Sequence, residues 1–203
     1  MSQLTLTSDP LGSATTGTLE FTNPAFFLTP ATSQRGVVLA DQYIIQQSTY
    51  TLTNQLPAQK LFGAVTNGTV TLVAGTYEFE CQFSLSSLNT GTANSFGFAL
   101  GGGATFTQYW WAMAVKPTSF STVTTANVVM SYNTAANTNI SGTTNTNSLG
   151  YARVGGLIIV ATGGTLIPQV SLSVGAAAVV GVGSYFKIRA LGDSAAISSG
   201  NWS

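Results

Sequence analysis

The sequence predicts an all-β protein, an antiparallel sandwich of short strands, on three observations. Threonine, valine and aromatic residues recur throughout, and these suit a pleated, half-buried surface. The 22 glycines among 203 residues divide the chain into short runs. No stretch sustains a helical apolar period, whereas Gly75 to Ser86 alternates strictly. There Tyr77, Phe79, Cys81, Phe83 and Leu85 point one way and Glu78, Glu80, Gln82 and Ser84 the other, so an extended strand gives one buried face and one wet or interfacial face.

Taken in order, residues 1–60 differ in texture from the rest. Pro10, Pro24, Pro30 and Pro57 interrupt short candidate strands at Gly17 to Phe21 and Ala25 to Leu28, with Asn23-Pro24 as the turn between them. This region reads as an N-terminal arm or small β-appendage without a compact core, leaning on its own oligomer or on another surface. Residues 61–203 read as the main domain. Its strands are Gly68 to Val73, Gly75 to Ser86, Ser95 to Leu100, Tyr109 to Ala114, Thr122 to Met130, Tyr151 to Val160, Thr165 to Val174, Ala178 to Val182 and Ser184 to Leu191. Gly101-Gly102-Gly103 and Asn133 to Ser148 lack periodicity and read as loops. The unbroken apolar run Gly156-Leu157-Ile158-Ile159-Val160 predicts a strand covered on both sides, with a neighbouring subunit as the second cover.

Charge supports the same expectation. Six basic and six acidic residues make up the whole formal charge, with no histidine, where a soluble domain commonly devotes about 25% of its residues to charge. A net charge of zero removes the repulsion that keeps copies apart, so a homo-oligomer is expected. Arg35, Lys60, Lys116 and Arg153 are scattered, which speaks against a phosphate track and so against nucleic acid; Lys187 and Arg189, two apart, make one polar strand face. Cys81 is alone and reads as a buried small hydrophobe. No run approaches the ~18 apolar residues of a membrane span, and Met1 to Leu6 lacks a signal-peptide pattern. The glycosylation-type triplets at Asn67, Asn139 and Asn201 read as chance in so Asn- and Thr-rich a chain.

Chemistry is sparse in this sequence. Without histidine no Ser-His-Asp or Cys-His site can form, and there is no phosphate loop or Cys-x-x-Cys spacing, so no catalytic, cofactor or metal residues are expected. Glu78 and Glu80 share a strand face at roughly the 5–10 Å separation of a glycosidase pair, but the amphipathic strand accounts for them more simply. Tyr109-Trp110-Trp111 places rings on both sides of a strand, and these, with Trp202, are candidate partner-contact aromatics.

The stretches Gly163-Gly164-Thr165-Leu166-Ile167-Pro168-Gln169-Val170-Ser171-Leu172 and Gly183-Ser184-Tyr185-Phe186-Lys187-Ile188-Arg189-Ala190-Leu191-Gly192 resemble carboxyl-terminal repeats of tailed-bacteriophage structural proteins. Val73 to Glu80 looks like the opening core strand of those domains, and Gly17 to Phe21 with Ser33 to Val38 like the segment that precedes them in tail and fibre proteins. Many of those proteins carry an Asp-Gly turn where this chain has Asn23-Pro24. The resemblance covers most of the chain and implies a jelly-roll similar to the tumour-necrosis-factor and C1q trimers. It makes Tyr77, Phe79, Phe83, Tyr185 and Phe186 candidates for core and threefold axis. Three functions follow from it as expectations. One is a homotrimeric capsid cement or decoration protein on the outer shell, bound to the major capsid protein. Another is a receptor-binding tail-fibre tip that recognises host-surface glycan through Gly101 to Thr107 and Asn133 to Ser148. The third is a polysaccharide-degrading spike that uses Glu78 and Glu80.

Overall fold

The computed structural model describes residues 18–22, 25–31, 34–38, 41–63, 68–88, 91, 94–116, 127–132, 137–139 and 149–195, and every element among them is a β-strand. The strands are β1 (Leu19–Thr22), β2 (Ala25–Ala31), β3 (Gln34–Val38), β4 (Asp41–Ile45), β5 (Tyr50–Thr51), β6 (Gln59–Lys60), β7 (Val70–Leu72) and β8 (Gly75–Ser86). They continue with β9 (Phe96–Gly101), β10 (Thr105–Lys116), β11 (Asn127–Tyr132), β12 (Asn137–Asn139), β13 (Gly150–Thr162), β14 (Gly164–Leu172), β15 (Val179–Val180) and β16 (Tyr185–Gly192).

All pairings are antiparallel, and the two larger sheets enclose one core. The eight-stranded sheet runs β11-β10-β13-β8. Beyond β8 it divides: β16 pairs with residues 76–82 and leads on to β4, while β15 pairs with Leu85 and Ser86 and leads on to β5. A four-residue β-turn, Gly181 to Ser184, separates β15 from β16. Gly183 adopts φ 84° there, a conformation that favours glycine, and the Ser184 amide donates to the Gly181 carbonyl at 3.3 Å. The five-stranded sheet runs β12-β9-β14, and the far edge of β14 is shared by β7 and β6. Pro168 explains that division: β7 pairs with Gly164 to Leu166 and β6 with Gln169 and Val170, and the proline between them has no N–H to extend either ladder. A third sheet, β1-β2-β3, is small and places β2 beside β16.

The core follows from the alternation on β8. Tyr77, Phe79, Cys81, Phe83 and Leu85 are all buried, facing Phe96, Phe98 and Leu100 of β9 and Leu166, Val170 and Leu172 of β14. Phe79 stacks on Phe98 and Phe186 with ring centroids 6.3 and 5.9 Å apart, and Phe83 meets Phe96 edge-on at 5.9 Å. Burial pushes the Cys81 thiol pKa well up, as expected for a thiol that acts as a small hydrophobe. Burial also raises the Tyr77 hydroxyl, which donates to the Val73 carbonyl at 3.0 Å.

Several elements differ from the sequence expectation. The sandwich reaches back before residue 60: β4 pairs with β16, β5 with β15 and β6 with β14, and Ile44 and Leu52 belong to the core. Residues 41–60 therefore have a compact core, but one they share with the later strands. Their strands, of five, two and two residues, are too short to show a period. The stretch expected as one loop from Asn133 to Ser148 contains β12, which pairs with β9; the rest of it lies outside the described residues. The strand expected at Thr122 to Met130 is seen as β11, with residues 117–126 outside the described residues. Gly101 ends β9 and only Gly102 and Gly103 are exposed, held beside β14 by the Ala104 amide donating to the Thr165 carbonyl at 3.0 Å. The Asn23-Pro24 turn also lies outside the described residues, between the facing pair Thr22 and Ala25.

Phe79 touches aromatic rings from both sheets, so Phe79→Ala is expected to lower the unfolding free energy by about 3–5 kcal/mol. Exposed Leu56→Ala should change it by no more than about 1 kcal/mol. Urea denaturation followed by tryptophan fluorescence measures both.

Candidate functional site

The outward face of the eight-stranded sheet collects half of the chain's twelve formal charges. Register places them together: Arg189 lies opposite Glu78 and Asp41, Lys187 opposite Glu80, and Arg153 opposite Gln82. Facing residues in an antiparallel pair share one side of the sheet, so Asp41, Glu78, Glu80, Arg153, Lys187 and Arg189 stand on one surface. Among the described side chains, three acids meet three bases and their formal charges cancel.

Glu80 is the hub of this surface. Its Oε1 accepts a hydrogen bond from the Tyr185 hydroxyl at 2.8 Å and lies 2.9 Å from Arg153 Nη2, while Oε2 lies 3.5 Å from Lys187 Nζ. Burial alone would raise its pKa, but the Tyr185 hydroxyl, Arg153 and Lys187 together outweigh burial and hold the carboxyl below its ordinary value. The same arrangement pushes Tyr185 up to about 12, through burial first and then the bond to Glu80. Burial raises Tyr151 as well, with Glu80 adding to the shift and Arg153 opposing it. Glu78 is held separately: Arg189 Nε donates to its Oε2 at 2.8 Å, a bond that raises the Arg189 pKa.

Between and beside these groups the face is apolar or hollow. Leu157 and Ile159 are half-buried, and Tyr43 and Ile45 of β4 are exposed. A hollow of 470 Å³ opens over Gly155 and Gly156, lined by Glu78, Glu80, Arg153, Leu157 and Leu191. A smaller one of 230 Å³ is lined by Gln82, Ser84, Tyr151, Val182 and Ser184. Chemically this surface offers paired charges and short apolar ridges. A glycosidase acid needs a raised carboxyl pKa, and Glu80 is shifted in the opposite direction.

The residues singled out from sequence separate into two sets. Tyr77, Phe79, Phe83 and Phe186 lie in the chain's own core, whereas Tyr185 faces outward onto Glu80. The run Gly156 to Val160 is covered on one side by the protomer, at Ile158 and Val160, and only half-covered on the other. The backbone of Tyr109, Trp110 and Trp111 pairs with Ile158, Leu157 and Gly156; their side chains, and all of Trp202, lie outside the described residues. The convergence of Arg153, Lys187 and Tyr185 on Glu80 was missed, since only cross-strand register reveals it. Asn94 was missed too. It is buried, and its amide ties Leu88 to the β14–β15 connection by donating to the Leu88 and Val174 carbonyls at 3.0 and 2.8 Å and accepting from the Val174 amide at 2.9 Å.

No protein family and no curated protein matches this sequence. Among solved structures, the VP2 subviral particle of infectious bursal disease virus aligns at 12% identity and a TM-score of 0.22, covering 83% of this chain and 48% of that one. This chain thus spans about half the length of that subunit, and a likeness so low carries no argument.

Two pH responses follow from the hub. The depressed Glu80 carboxyl contributes stability that is present above the ordinary value of 4.5 and is lost as pH falls through its lower folded value. Glu80→Gln should therefore flatten the loss of stability below about pH 4.5 and cost about 1–3 kcal/mol at neutral pH, read from urea midpoints across pH. Tyr185 has the opposite dependence: its raised folded pKa of about 12 contributes stability that is complete below the ordinary value of 10.0 and disappears as pH rises toward 12. Tyr185→Phe should remove that alkaline slope in the same titration.

Proposed function

We propose that the protein is a non-enzymatic virion structural protein, a jelly-roll protomer that forms a homotrimer and decorates the outer surface of a bacteriophage capsid, stabilising contacts between major capsid subunits. The observation that carries this reading is the outward face of the eight-stranded sheet, on which the charges of the described side chains cancel. Its three acids and three bases alternate across neighbouring strands, with Tyr43, Ile45, Leu157 and Ile159 among them. A strongly basic or acidic partner gains nothing from a face whose charges cancel, whereas a second copy supplies both signs and matching apolar ridges. The overall scarcity of charge supports the same reading, because burial against copies covers surface that lacks ionic hydration. The resemblance of residues 163–172 and 183–192 to phage structural repeats narrows assembly in general to a virion.

The test has two parts. Light scattering on the purified 20.9 kDa chain is expected to give the mass of a trimer, and Arg153→Glu, which sets a second carboxylate against Glu80, should raise the dissociation constant at least about tenfold. Sedimentation with tailless capsids should then show stoichiometric binding. A monomer would remove the assembly reading, and binding to host cells without binding to capsids would move the assignment to a receptor-recognising tail tip.

A further inference from the structure

Strand β2 of the small sheet β1-β2-β3 carries apolar side chains on both faces. One face of β2 is turned toward the protomer, with Ala25, Phe27 and Thr29 buried and β2 running beside β16. The opposite face carries Leu19, Phe21, Phe26 and Leu28, and of these Leu19 is 52% exposed, Leu28 43% and Phe26 37%. Register makes the four one patch, since Leu19 lies opposite Leu28 and Phe21 opposite Phe26, with the two rings 4.8 Å apart. A sheet face that buries a threonine and exposes two leucines and a phenylalanine is built for a partner.

We infer that this patch is the surface by which each protomer grips an uncharged, apolar protein surface on the shell beneath it, an inference that rests on the virion reading above. Charge sets the chemistry of the partner: none of the four side chains is ionised, whereas the outward face of the eight-stranded sheet holds six charged groups. Area decides between a second copy and another protein. Three half-exposed large side chains offer on the order of 250 Å², against about 800 Å² per partner in a stable two-body interface. Between two single patches, these side chains fall short of that area. A trimer presents the patch three times on one body, and simultaneous engagement multiplies weak contacts by effective concentration. A repetitive shell can accept all three.

The experiment uses the full chain, the double variant Leu19→Gln/Leu28→Gln, and tailless shells stripped of this protein. Wild type and variant should both scatter as trimers, with the variant binding shells at least about tenfold more weakly. Hydrogen exchange on the wild-type trimer bound to shells should protect the amides from Leu19 to Leu28, a readout independent of how the variant folds. Variant binding equal to wild type, or unprotected amides in that segment, would overturn the inference and leave the virion reading intact. A variant that dissociates to monomers would also overturn it, by making the patch a contact between copies. Failure of wild type itself to bind shells would remove the virion reading, and this inference with it.

Discussion

Strand β8 is paired along nearly its whole length on both sides, to β13 on one edge and to β16 and β15 on the other, and its strict alternation ties the inside of the protein to its outside. The residues that stack Phe79 and Phe83 into the core are the same ones whose spacing stands Glu78 and Glu80 on the surface. A slip of one residue in either ladder would drive two carboxylates into an aromatic core and expose the rings, and such an exchange is far too unfavourable to be populated. Register throughout the larger sheet is therefore fixed by one strand. The ionic pattern on its outward face is a consequence of that register.

This dependence accounts for how a chain with so few charges arranges them. On the other side of the sandwich, the outward residues of β14 are Thr165, Ile167, Gln169 and Ser171, with Lys60 facing Gln169 from β6. Where connections must be held, uncharged amides act in place of ion pairs. Gln59 accepts from the Thr53 amide at 2.8 Å and donates to the Thr53 carbonyl at 2.9 Å, reproducing with a side chain the two-way bond of a strand pair. Asn94 performs the corresponding task at the opposite connection, using both its acceptor and its donor. Buried polar groups satisfied in this way need no counter-ion, so charge can be concentrated on one face.

How much of this was legible depended on strand length. Gly75 to Ser86 coincides with β8 residue for residue, because twelve positions of alternation leave no other period, and β13, β14 and β16 were close for the same reason. β5, β6 and β12 have two or three residues each, too few for any pattern, and exist because a longer neighbour offers them a ladder. That is why the domain looked as if it began near residue 60. At the surface, Glu78 with Glu80 and Lys187 with Arg189 were each readable as polar faces of single strands. That Arg153 and Tyr185 reach the same carboxylate follows from pairings more than a hundred residues apart for Tyr185 and about seventy for Arg153, which local sequence does not encode.

The hub also shapes what an encounter with a second copy would do. The Arg153 side chain is 63% exposed while that of Glu80 is 20% exposed, so the pair is half solvated in the isolated protomer. Covering the face removes water from Arg153, and the stronger attraction to Glu80 that follows is offset by the lost hydration, leaving the net gain small. Glu80 is already held by the Tyr185 hydroxyl and Lys187, so it needs no rearrangement when the face is covered. In the proposed assembly, affinity would come from the apolar ridges, Leu157, Ile159, Tyr43 and Ile45. In the proposed assembly the charges would reject misaligned copies, in which like signs would meet within a drying interface. Such a division of labour needs charges that are few, fixed and locally cancelled, which is the arrangement β8 imposes.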